Sequence, residues 1–228
     1  MADVSGRRAE QASGCRRRPL RTTSKEHPVS NSSHAAGNGP IAETIAFLIG
    51  NYMTTLFVVG LIVAAVRILR MRGERTPIHV SGILLNAFVF WAIGCAQVVN
   101  FIMHSVFGDF AAKTIGWAQS PFQMELALSS LGVGVMAFLL YSERSAFRGK
   151  VALVIATVIF GWGAALGHIY QMVVNHDYAV NNTGLLLYSD IAINAVGLAF
   201  VLWHAWALRQ ATTTDDVAVR TDAQVVGR

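Results

Sequence analysis

The chain has 228 residues, of which 54% are hydrophobic and 14% charged, with a formal net charge of +5. Soluble domains carry about 25% charged residues, so this composition excludes an ordinary soluble domain. The basic balance does not point to nucleic acid, because seven of the 18 Lys and Arg lie before Ile41, away from the apolar runs.

Residues 1–40 are rich in Ser, Gly, Asn and Arg and almost free of apolar side chains. Such a segment cannot offset its ordering entropy and is expected to be a disordered tail. Its Arg-rich part, Gly6–Lys25, is suited to anionic lipid. The first apolar run begins only after Pro40, too late for a typical signal peptide. Five apolar runs follow, at about 41–69, 78–106, 121–141, 150–174 and 186–208. Each has 21 residues or more, and ~20 helical residues cross a bilayer. The fold class expected is therefore all-α, a polytopic bundle of five transmembrane helices, closed by a second disordered tail at 210–228. Cys15 and Cys95 lie in different environments and are read as free thiols.

Short-loop Lys and Arg set the orientation. Arg67, Arg70, Arg72, Arg75, Arg144, Arg148, Lys150 and Arg209 fall on one side, against Lys25 and Lys113 on the other. This predicts a cell-membrane protein with its N-terminus outside and its C-terminus in the cytoplasm.

Polar side chains inside membrane helices usually face the bundle interior. At 100° per residue, Gly82, Asn86, Ile93, Gln97, Asn100 and His104 share a face of the second helix. Glu125, Ser129, Gly132 and Met136 share one of the third. Gly161, Ala165, His168, Met172 and Asn175 share one of the fourth, flanked by Gln171, and Asp190, Asn194, Gly197 and His204 one of the fifth. Glu43, Gly50 and Thr54 align on the first. Each stripe is expected to point inward. Asn100, His104, Glu125, His168 and Asp190 also lie within about 10 Å of the outer helix ends. The site expected is thus an outward-facing polar slab, with a cytoplasmic half that offers only Asn86 and His204. The loops above the slab, 116–125 and 175–184, could close it as a lid. Asn181, Asn182 and Gly184 read as ordinary turn residues. Asn31–Ser33 and Asn181–Thr183 match the N-glycosylation pattern, a weak signal.

Trp117–Glu125 (WAQSPFQME), Gly167–Met172 (GHIYQM) and Asn182–Asp190 (NTGLLLYSD) together resemble an uncharacterised group of small bacterial and archaeal integral membrane proteins. That group is known only as a domain of unknown function. The resemblance covers about 111–201. It implies a multi-pass membrane protein and carries no established site residues, so the chemistry rests on the residues themselves. Glu125, His168 and Asp190, with Asn100, His104, Gln97, Gln171 and Gln123, suit a proton relay or small-molecule clamp. His104, Glu125, His168 and Asp190 are also ligand types for zinc or iron, and His104 with His168 for haem. No HExxH and no Cys pair supports a metal. A purely structural network is the third reading. The partners expected are the bilayer and a small molecule; an enzyme is the less favoured outcome.

Overall fold

The computed structural model describes residues 39–226, and side chains as far as residue 213. The Arg-rich tail, Cys15 and the Asn31 motif lie outside the described residues. The described chain is helical and contains no strand. In chain order the helices are α1 (Pro40–Gly50), α2 (Tyr52–Arg70), α3 (Pro77–Ser105), α4 (Gly108–Ile115), α5 (Phe122–Leu140), α6 (Phe147–Val174), α7 (Val180–Thr183) and α8 (Leu185–Val226). Five of them, α2, α3, α5, α6 and the last, are long and apolar enough to cross a membrane. The expectation of five such helices holds.

Their boundaries differ from the apolar runs in instructive ways. The first run is divided at Asn51, which leaves helical geometry at φ −115° and ψ 40°. Its amide N–H and its side-chain Nδ2 both donate to the Phe47 carbonyl, each at 2.9 Å. An Asn side chain competes in this way with the helical ladder, and hydropathy is blind to it. α1 is exposed along its whole length. The loop expected after Val106 contains α4, which Gly116 ends at φ 89°, a left-handed position that glycine takes without strain. α6 begins at Phe147, three residues before Lys150. α8 continues helically to Val226, past the expected end near Leu208.

α3 is the central helix and packs against α2, α5, α6 and α8. Its middle, Phe88–Cys95, is a π-helical segment. The apolar core gathers there: Leu85, Phe88, Val89 and Ile93 meet Ala137 of α5, Leu153 and Val154 of α6, and Ile193 of α8. Phe57 and Phe200 both pack edge-on against Phe88. Lipid tails are as apolar as these side chains, so close van der Waals packing holds helices together in a bilayer. Gly134 of α5 shows what that packing requires: a Cβ there would lie 3.2 Å from Val98 and 3.3 Å from the Gly94 carbonyl.

The inward faces of α6 and α8 are as expected, except that Asn175 caps the end of α6 and is exposed. Gly161, Ala165 and His168 are buried, as are Asp190, Asn194 and Gly197. α5 is turned the other way. Glu125, Ser129, Gly132 and Met136 are exposed, and Ala127, Ser130, Gly134 and Ala137 face the bundle. Small residues line both sides of this helix, so a stripe of them cannot identify the inner one. On the first run, Glu43 and Gly50 are exposed and only Thr54 points inward.

Candidate functional site

The helices run antiparallel in sequence, so the ends of α2, α3, α5, α6 and α8 define two sets of termini. One set carries Arg67, Arg70, Lys150 and Arg209 and is called the basic end. The other carries His104, Glu125, His168 and Asp190 and is called the polar end.

At the polar end the expected single slab resolves into separate groups. The Tyr52 hydroxyl donates to Asn100 Oδ1 at 2.6 Å, and Asn100 Nδ2 donates to Ser130 Oγ at 2.8 Å. This line joins α2, α3 and α5. Next to it, Thr54 and Ser189 hydroxyls share a hydrogen bond of 2.5 Å. Gln123 Nε2 reaches both His104 Nδ1 (3.1 Å) and the Gly108 carbonyl (2.9 Å). His104 and Gln123 also border a shallow cavity of 330 Å³ with Gln119 and Ser120.

His168 is committed elsewhere. Its Nδ1 donates to Asn182 Oδ1 at 2.7 Å, and Asn182 Nδ2 donates to the Asp177 carbonyl at 2.7 Å. The Trp117 ring lies 5.3 Å from the imidazole, centre to centre. The two loops therefore meet over His168, with α4 against α7, and Asp177 sits where a Cβ on Gly116 would be. Asn182 is fully buried, so it is more than the turn residue expected from the sequence.

Asp190 is 6% exposed, and its backbone carbonyl accepts from Asn194 Nδ2 at 2.7 Å. It is close enough to Tyr52 to act on that phenol electrostatically. Gln97 keeps its Oε1 buried without a partner. Gln171 is hydrogen-bonded to Asn175 at the loop. Glu125 is exposed and makes no hydrogen bond or ion pair among the described residues. It therefore drops out of the expected cluster with His168 and Asp190. Among the described residues, no three His, Cys, Asp or Glu are placed to hold a metal ion.

The basic end is richer than the sequence suggests. A cavity of 690 Å³ opens there, lined among others by Arg67, Arg70, Asn86, Lys150 and His204. Lys150 is 5% exposed and its Nζ donates to Asn86 Oδ1 at 2.6 Å. His204 Nδ1 pairs with the Ser81 hydroxyl at 2.8 Å, and its ring packs against Phe147. Counting Lys150 as a loop charge hides it. The earlier start of α6 places it on the inner face, within reach of Asn86.

With this geometry in place, the comparison with protein families is informative. Residues 50–210 match DUF6790, a family of unknown function. The chain belongs to this family. The match begins at the α1–α2 break and takes in both ends of the bundle, so it reaches well beyond the 111–201 covered by the resemblance in sequence motifs. Comparison with curated proteins and with solved structures returns no match.

Proposed function

We propose that this DUF6790 protein is a multi-pass cell-membrane protein that binds a small molecule in step with a proton held at Asp190. The observation that carries this is the burial of the Asp190 side chain, which is 6% exposed on a membrane-spanning helix. An ionised carboxylate inside a bundle costs several kcal/mol, about the penalty for one desolvated ion, so the group is carried with its proton instead. Buried ionisable residues in membrane helices often mark proton or substrate pathways. Tyr52, within electrostatic range of Asp190, begins the hydrogen-bonded line to Asn100 and Ser130, which gives a route along which a donor can reorient. His168 is a titratable group at the polar end of the neighbouring α6, and its Nδ1 is taken by Asn182. The Lys/Arg asymmetry supports an outside position for this end and a cytoplasmic C-terminus.

The test is infrared spectroscopy of the full chain reconstituted in lipid. A protonated carboxylic C=O band is expected at neutral pH and should vanish in Asp190→Asn. Tyr52→Phe should shift it, which keeps the test valid if Asp190→Asn folds poorly. Spectra that lack the band, or keep it in Asp190→Asn, would overturn the proposal. A purely structural role for the polar end is favoured by the mutually satisfied His168–Asn182 and His104–Gln123 pairs. On that reading Asp190→Asn folds normally and no proton band is lost.

A further inference from the structure

The 690 Å³ cavity at the basic end has no part in the Asp190 proposal, and its lining has a distinct chemistry. Arg67, Arg70 and Lys150 bring three full positive charges to it, against the single carboxylate of Glu143. That carboxylate is already engaged, 3.7 Å from the Arg67 guanidinium, in an exposed pair. Exposed pairs hold weakly, typically at about 0–1 kcal/mol, so Arg67 can turn to another anion. Lys150 is the more telling group. It is buried, its one hydrogen bond goes to the neutral Asn86, and no carboxylate lies within 4.0 Å of it among the described residues. Glu143 acts on it only at longer range. Two of the three ammonium donors are thus left without a protein acceptor, facing a cavity.

His79 and His204 are the other polar side chains of the lining. Val66, Met71, Ile78, Ile83 and Leu208 complete the walls. A site of this kind matches an anion attached to a hydrocarbon chain. Two guanidinium forks and an ammonium suit tetrahedral phosphate oxygens, and basic pockets between membrane helices are recurrent headgroup sites.

We infer that the basic-end cavity binds a phosphate anion borne on an apolar tail, the headgroup of an anionic phospholipid being the fitting form. Arg67 and Arg70 grip the phosphate at the mouth, and Lys150 supplies the innermost positive charge.

The experiment uses the full chain in non-ionic detergent, with binding read by native mass spectrometry and by thermal stabilisation. The probes are phosphatidylglycerol, phosphatidylcholine with the same acyl chains, and inorganic phosphate. Phosphatidylglycerol should bind and raise the melting temperature, and phosphatidylcholine should not. Arg70→Gln is exposed and should fold normally while weakening phosphatidylglycerol binding about tenfold, the loss of one charge-assisted hydrogen bond. Lys150→Met should weaken it at least as much. Arg72 is exposed and does not line the cavity, so Arg72→Gln should leave binding unchanged. If inorganic phosphate alone reproduces the stabilisation and phosphatidylglycerol adds nothing, the anion site stands but its ligand is soluble. Equal binding of phosphatidylcholine, or equal losses in Arg70→Gln and Arg72→Gln, would overturn the inference, since generic surface attraction would then account for the data.

Discussion

Asn182 offers the sharpest test of how the polar end is built. It is fully buried, and its two 2.7 Å hydrogen bonds join α7 to His168 of α6 and to the Asp177 carbonyl. Asn182→Ala removes both and leaves the His168 Nδ1 and the carbonyl without partners. A net value of roughly 0.5–1.5 kcal/mol per bond gives a loss of about 1–3 kcal/mol. For a chain of this size each kcal/mol shifts the melting temperature by roughly 2–4 °C, so a fall of about 4–8 °C is the central expectation. The assay is thermal unfolding of the full chain in detergent, paired with limited proteolysis of the 175–184 loop, which should be cut faster once its anchor is gone. The double variant Asn182→Ala/His168→Ala should lose less than the two single losses added together, because both remove the same bond. An Asn182→Ala protein that melts within 1 °C or so of the parent, with its loop equally resistant, would refute the reasoning and return Asn182 to the status of a turn residue.

Two further predictions follow from α5. Gly134→Val should destabilise by about 1–3 kcal/mol through overpacking, because Val98 and the Gly94 carbonyl crowd that position. Gly132→Val, with nothing within 4 Å, should change stability by less than about 0.5 kcal/mol; similar melting curves for the two would mean that α5 is turned differently. Glu125→Gln should also stay within about 0.5 kcal/mol of the parent, measured in the same way, since Glu125 is exposed and unpartnered. A large loss would restore it to the buried cluster.

Chain order and side-chain polarity carried much of this description. Long apolar runs with few charges announce membrane helices, because about 20 helical residues cross the hydrocarbon. The inward faces of α6 and α8 were legible because Gly161, Ala165 and His168, and Asp190, Asn194 and Gly197, each sit on a single stripe with bulky residues opposite. α5 was not legible. It has small residues on two sides, and lipid is as apolar as a bundle core, so hydropathy cannot distinguish them. The π-helical segment at Phe88–Cys95 adds a second obstacle, because a uniform 100° step does not describe a helix with i→i+5 bonding.

By itself the sequence determined the number of membrane helices, the separation of basic and polar ends, and the burial of Asp190 and His168. These follow from length, charge and one-helix periodicity, which are local properties. Only the tertiary structure decided which polar groups meet. It gave His168 to Asn182 rather than Glu125, tied Tyr52 to Asn100, and turned Lys150 from a loop charge into a lining group of a cavity. Those pairings depend on the rotation and depth of neighbouring helices. Such quantities are fixed by close packing at residues like Gly134 and leave no periodic trace in the chain.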